Sequence, residues 1–418
     1  MGKTFRKACA KLHLWLGLLS GIVVFIVCIT GCLYAFKDEI TDAIQPWRFV
    51  DPQEKEFLLP SRILAIADSV MEGASATAIT YGEESDAVWV DYYRPEMGMS
   101  TVFIDPYDGR VLKSVIKKSG DFDFFRFVLG GHRTLWLPRE IGSPIVGYSV
   151  LIFLITLITG IVLWWPRRWT RKALVQRLTM KRPCTFSKLN FDLHNVVGFY
   201  ASFLLFILCF TGLIFSLNWF SKAVYGITSG GEELKPYVLP LSDTLQVGSR
   251  VEAPLDLIYT RLRSEEPAAK TFYFALPGQA DGVFRVSVVH KRGSYYRTDN
   301  LFFDQYTLVP LKGSGPYAGK YTEASAADKF RRMNLEIHDG RIWGLPGKIL
   351  MFFASLIGAS LPLTGFIIWF LAASPIWVPL AAAVIVILLI LRRSKRKMQE
   401  RLKSYVVHDE EKAEDTDG

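Results

Sequence analysis

Neither of the two long polar stretches of this 418-residue chain, 37–142 and 218–348, contains a cysteine. Cys9, Cys28, Cys32, Cys184 and Cys209 all fall in apolar runs or in basic connections, so no disulfide framework is expected in the polar parts. Histidine is nearly as scarce, with six residues. Nucleotide-binding signatures are missing too: GSGPYAGKY (313–321) has glycines and a lysine but neither the Walker spacing nor its Ser/Thr. The Gly-x-Ser-x-Gly-like stretches have no paired base, which removes the usual hydrolytic arrangements.

Long apolar sequence is abundant. Half of the residues are apolar. Runs near 14–36, 143–165, 193–217 and 349–371 each supply roughly 20 or more mostly apolar residues, the length a helix needs to cross a bilayer. A shorter run, 376–391, leaves a fifth crossing open. The first run imitates a signal peptide, and ITGC (29–32) a lipoprotein cleavage site. It is longer than an ordinary signal core and its pattern returns at residue 193, so we expect it to be retained. The net charge of +9 is placed by topology. Lys3, Arg6, Lys7 and Lys11 precede the first run; Arg167, Arg168, Arg171, Lys172, Arg177, Lys181, Arg182 and Lys188 fill the second connection. Positive-inside asymmetry makes both segments cytoplasmic and puts the two long polar stretches outside. Lipid is thus the partner these charges imply, and nucleic acid is not needed. The basic tail RRSKRKMQERLK leaves its own side open.

The chain is written twice. LHLWLGLLSGIVVFIVCITG (12–31) matches LHNVVGFYASFLLFILCFTG (193–212), with glycine four residues after the histidine and Thr-Gly at its end. GHRTLWLPREIGSPIVGYSVLIFLITLITGIVLWW (131–165) parallels IHDGRIWGLPGKILMFFASLIGASLPLTGFIIWF (337–370). Between the runs, PSRILAIADSVME and PLDLIYTRLRS read as amphipathic helices. Each is followed by alternating strands: 76–82, 86–93 and STVFIDPYDGRVLKSV in the first half, KTFYFAL, GVFRVSVV and YRTDNLFFDQYTLVPLK in the second. The expected fold is a polytopic α-helical membrane protein. It comprises an internally duplicated four-helix transmembrane bundle, a possible fifth segment, and two extracytoplasmic α+β domains. Its segments are 1–36 (cytoplasmic N-terminus and span 1), 37–130 (external domain 1), 131–166 (span 2), 167–192 (basic cytoplasmic loop) and 193–217 (span 3). They continue with 218–336 (external domain 2), 337–371 (span 4), 372–391 (possible fifth or re-entrant segment) and 392–418 (charged tail).

Four histidines, His13, His132, His194 and His338, occupy equivalent positions at the starts of the four spans. Polar groups near the apolar zone are costly and usually functional. The topology puts His13 and His194 at the inner face and His132 and His338 at the outer face. One pair from two helices at each face is the arrangement of a bis-histidine haem. Zinc or copper would take three or four ligands; Asp192 and Asp339 adjoin two of the histidines, but no third ligand recurs. Gly17 and Gly198 lie one turn after their histidines on the same face, where a missing side chain would let a flat macrocycle approach. Gly31 and Gly212 rise to the outer level, while Gly160 and Gly365 descend to the inner one, as clearance for the same group. Helix packing is an equal reason for small residues there. Arg133, Arg139 and Arg341 outside, with Arg6, Lys7 and Lys11 inside, are candidate partners for cofactor propionates. His290 and His408 are read as solvated.

On LHLWLGLLSGIVVFIVCITG, GHRTLWLP…ITGIVLWWPRR, LHNVVGF…CFTG, EIHDGRIWGLPGKIL…LTGFIIW and the external VFIDPYDGRVL, the chain resembles the PepSY-associated transmembrane family. These are iron-regulated membrane proteins that include ferric-siderophore reductases. The resemblance covers about 5–371 and implies PepSY-like external domains and two bis-histidine b-type haems held by His13, His194, His132 and His338. It also implies reduction of a ferric chelate at the outer face of the bacterial inner membrane. The segment 372–391 departs from the family pattern. With no nucleotide site, the electron donor would be a cytoplasmic dehydrogenase or quinol. A PepSY module for binding or peptidase regulation, anchored by the helices and without redox activity, is the alternative. A permease is disfavoured by the lack of paired intramembrane charges.

Overall fold

The structure, a computed structural model, describes residues 2–372 apart from 72, 95–97, 119, 181–182 and 250. The run 376–391, the charged tail with His408, and Lys181 and Arg182 lie outside the described residues. The first span is one unbroken helix, α1 (Lys3–Ala35), followed by a short acidic helix, α2 (Lys37–Ile44). Next come α3 (Pro60–Val70) and the strands β1 (Ala76–Tyr81), β2 (Val88–Arg94), β3 (Gly98–Ile104) and β4 (Val111–Val115). The chain re-enters the bundle through α4 (Phe124–Thr134) and the second span, α5 (Arg139–Trp164), with α6 (Arg171–Leu178) in the basic connection. The third span, Phe186–Ser216, consists of α7 (Phe186–Asp192), a π turn over Leu193–Val197, and α8 (Gly198–Ser216). After α9 (Asn218–Ser229) and α10 (Pro254–Glu265) come β5 (Thr271–Ala275), β6 (Val283–Val289), β7 (Thr298–Asp304) and β8 (Pro310–Leu311). The described chain closes with α11 (Ala326–Asp339) and the fourth span, α12 (Arg341–Ala372), which opens with a 3-10 turn.

Among the described residues, four helices are therefore long and apolar enough to cross a membrane. They pack around a shared middle layer to which each contributes: Val24 from α1, Phe153 and Leu157 from α5, Ala201, Leu205 and Cys209 from α8, and Leu361 from α12. A side chain at Gly358 would collide with Leu205 and Cys28, so close helix approach requires glycine there.

The polar stretches, expected as two domains, share one sheet. Its order is β4-β3-β2-β1-β5-β6-β7-β8, and the two halves join where β1 pairs antiparallel with β5, Ile79 opposite Phe274 and Tyr81 opposite Phe272. This pairing covers what would otherwise be two exposed strand edges. One apolar core runs under the join: Ile63 and Ala67 of α3, Ile258, Tyr259 and Leu262 of α10, and Tyr81, Val90, Phe272 and Phe274 of the strands. Asp256 of α10 caps the start of α3 through the Ser61 N–H (2.8 Å) and hydroxyl (2.6 Å). GSGPYAGKY packs against the buried Arg332. Its Pro316 and Ala318 carbonyls accept from the guanidinium.

The spans expected to run on from His132 and His338 are interrupted just after those histidines. Past His132, Leu135 and Trp136 both adopt left-handed backbone (φ 53° and 59°), a conformation that bulky residues rarely hold. The Trp136 indole is fixed by its Nε1–H bond to the Phe127 carbonyl (2.8 Å) and lies against Gly131, where a Cβ would fall 2.4 Å from the ring. Past His338 the break is at Gly340 (φ 81°), where a Cβ would fall 2.3 Å from the Gly347 carbonyl oxygen. His132 and His338 thus sit on short helices of their own, at an angle the spans do not dictate.

Candidate cofactor-binding site

The four recurring histidines meet in two pairs. His13 on α1 and His194 in the π turn place their ring centroids 6.1 Å apart, with the ring planes at 84°. His132 on α4 and His338 on α11 stand 6.2 Å apart at the other end of the bundle, with the planes at 61°. Gly31, which touches the His132 ring, is 18 residues beyond His13, so the pairs lie roughly 27 Å apart along α1. A π turn inside an α-helix commonly marks a functional position, and here it is the turn that carries His194.

Each ring is oriented through Nδ1 by a neighbouring helix. His13 Nδ1 donates to the Thr156 carbonyl (3.0 Å), with Thr159 Oγ1 3.1 Å away, and His132 Nδ1 donates to the Val27 carbonyl (2.9 Å). His194 Nδ1 lies 2.9 Å from Thr364 Oγ1 and His338 Nδ1 2.8 Å from Thr211 Oγ1. The direction of these last two bonds follows from the threonines. Thr364 Oγ1 donates its only proton within its own helix, to the Ser360 or Leu361 carbonyl, and Thr211 Oγ1 does the same to Ile207 or Leu208. Both hydroxyls are therefore acceptors, and all four histidines carry the proton on Nδ1. A neutral imidazole held in this way keeps its lone pair on Nε2, the state in which imidazole binds a metal while its other nitrogen is held by the protein.

Ring centroids 6.1 and 6.2 Å apart would leave room for one metal ion between the two imidazoles of each pair. Among the described residues no three His, Cys, Asp or Glu side chains gather into a metal-ligand group, so the donor sets are pairs. A pair of imidazoles would suit a metal carried in a macrocycle, and His13 with His194, and His132 with His338, are the residues that would hold it.

The Thr-Gly glycines make room for something nearer than a macrocycle. A Cβ at Gly160 would fall 3.1 Å from Cε1 of His13, at Gly365 3.1 Å from that of His194, at Gly31 3.2 Å from that of His132, and at Gly212 3.4 Å from that of His338. Each Thr-Gly is thus a seat for the edge of an imidazole arriving from another helix. At these four positions the space left by the missing side chain is taken by a histidine ring, and not by a macrocycle as expected. Gly17 has only the Thr156 methyl, 3.8 Å from a built Cβ, while Gly198 meets Leu361 at 3.0 Å and is a helix-packing residue.

Two of the basic residues expected to meet propionates are engaged elsewhere. Arg6 donates to the Trp165 (2.8 Å) and Leu163 (2.7 Å) carbonyls and closes the C-terminus of α5. Arg341 is held by Asp339 (2.5 Å) and Asp38 (3.3 Å), beneath the Tyr295 ring. His290, expected in solvent, pairs with Asp299 (2.8 Å). The sequence reading singled out Thr-Gly for its glycine and passed over the threonine oxygen; the recurrence of the whole dipeptide carried that signal.

No curated protein matches the chain. The sequence profile of the PepSY-associated TM region matches residues 10–372, a span that takes in both histidine pairs, all four membrane helices and the sheet between them. The chain belongs to the PepSY-associated transmembrane family.

Proposed function

We propose that this protein is a b-haem-dependent ferric reductase of the bacterial inner membrane, an electron-transfer protein acting on an external ferric chelate such as a ferric siderophore. In this reading the two halves arose by internal duplication. The N-terminus and basic connection face the cytoplasm and the sheet layer lies outside. Two bis-histidine haems are held, one by His13 and His194, the other by His132 and His338. The single observation that carries the reading is the pairing of imidazoles at 6.1 and 6.2 Å with all four Nδ1 protons committed to the protein. Haem held by these imidazoles would supply a one-electron carrier.

The chain's own residues supply ligands, orientation and depth. His13 and His194 lie at the end bordered by Arg6 and Arg177, where a cytoplasmic or quinol donor would approach. His132 and His338 lie on the helices that descend from the sheet, where a chelate would be met. Each ferric ion takes one electron, and its chelator loses the charge for which it is selective.

The test is a reduced-minus-oxidised absorption spectrum of the purified protein, followed by reduction of a ferric chelate by protein in vesicles, read with a ferrous-specific dye. Sharp b-type bands and ferrous release support the proposal. A well-folded protein that stays colourless when offered excess haem contradicts it and favours the binding or peptidase-regulating module.

A further inference from the structure

Two buried amides lie one helical turn before one histidine of each pair. Asn190 precedes His194 in NFDLH and Asn334 precedes His338 in NLEIH, each by four residues. Both are almost completely enclosed, at 4% and 0% exposure. Asn190 Nδ2 donates to the Thr364 carbonyl (3.0 Å) and Asn334 Nδ2 to the Thr211 carbonyl (3.1 Å). These are the threonines whose hydroxyls accept from His194 and His338. In each case two side chains on one helix grip one residue of the next, the amide on its carbonyl and the imidazole on its hydroxyl. A single hydrogen bond leaves an imidazole free to swing about it; two bonds a turn apart fix both the rotation and the height of the histidine helix against its neighbour. The other histidine of each pair lacks this device. Four residues before His13 and His132 stand Cys9 and Val128, neither of which can donate as an amide does.

We infer that Asn190 and Asn334 are positioning residues, each setting the direction of one Nε2, so that every pair comprises one braced and one unbraced imidazole. The inference rests on the haem reading for its purpose, but not for its geometry. A flipped amide would set oxygen against oxygen at the threonine carbonyl, so the donor direction is settled. The cost of the arrangement argues for the role as well. Asn334 Oδ1 is buried with no partner among the described residues, and a leucine of similar volume would remove that unsatisfied group. An asparagine serving stability alone would therefore be replaced by leucine with little loss.

The test uses full-length protein carrying Asn190→Leu or Asn334→Leu, with Asn334→Gln as the variant that restores an N–H donor. The first readout needs no cofactor. In ¹⁵N-histidine-labelled protein prepared without haem, Asn334→Leu is expected to speed exchange of the His338 Nδ1 proton about tenfold, the effect of losing one neutral hydrogen bond. The His132 and His13 protons should be unchanged, and Asn334→Gln should recover part of the protection. Asn190→Leu should act in the same way on His194 alone. The second readout is the paramagnetic resonance of the ferric haem protein, where each variant should alter one low-spin signal and leave the other in place. Unchanged imidazole exchange in both leucine variants overturns the inference, and so does an equal change at all four histidines. If the leucine variants do not fold, Asn190→Ser and Asn334→Ser, which remove the reach without adding bulk, decide it by the same measurements. A wild-type protein that takes up no haem defeats the proposed function, while the exchange measurement still decides the brace.

Discussion

At the scale of single residues, the environment of each imidazole is set by an atom that is not there. The absent Cβ of Gly160 or Gly365 admits Cε1 of a histidine to a distance at which a methyl group would force the ring away. Alanine at either position should therefore cost about 1–3 kcal/mol in overpacking, against about 1 kcal/mol gained in helix propensity, a small net destabilisation. Gly212→Ala, whose new methyl would sit at 3.4 Å from His338, should be neutral or slightly stabilising. Thermal unfolding in detergent checks the order: Gly212→Ala highest, Gly160→Ala and Gly365→Ala below wild type. The positions of these glycines were legible in the sequence because Thr-Gly recurs four times. Their partner was not, because sequence spacing places a residue at a height in the membrane but does not say which neighbouring ring turns toward it.

At the scale of elements, the helices that carry His132 and His338 decide the geometry, and these are the elements the sequence hid. His132 and His338 were read as the first residues of spans, since the apolar run behind each looks continuous with it. The break after His132 rests on Leu135 and Trp136 in left-handed backbone and on the Trp136 indole seated against Gly131, for which no local composition rule gives a signal, whereas the break after His338 rests on Gly340. The start of α4, by contrast, carries an ordinary cap. Asp123 accepts from the Arg126 N–H (3.0 Å), and the Lys117 ammonium bonded to it (2.6 Å) holds its carboxyl below the usual carboxylate range, against the opposing effect of burial. A carboxylate lowered on folding contributes stability that is present above its unfolded value, about 3.9, and lost as pH falls through the lower folded value. Asp123→Ala should cost about 1 kcal/mol at neutral pH. Hydrogen exchange of the α4 amides should show that region opening more readily in the variant, with the difference from wild type shrinking in acid. Equal protection at neutral pH would mean that the cap does not hold the His132 helix.

At the scale of the molecule, repetition in the sequence is matched by pairing in space. Each half has three shorter α-helices and four strands between two spans, and the halves meet along β1 and β5 as well as in the bundle. The strands themselves were legible from alternation. Their union into one sheet was not, because edge pairing between Ile79 and Phe274 joins residues about half the chain apart and leaves no local mark. The consequence is that His132 and His338 lie on helices that lead from one continuous sheet layer into the bundle, and each histidine pair takes one member from each half. No half-chain therefore contains a complete site. The proposal that these pairs hold iron porphyrin is tested most directly by counting haem per chain in the wild type and in four single variants, His13→Ala, His132→Ala, His194→Ala and His338→Ala. The account predicts two in the wild type, with His13→Ala and His194→Ala disturbing one and the same haem and the other two variants disturbing the second. A wild-type chain without haem, or a pair of variants that disturbs different haems within one proposed site, would contradict it.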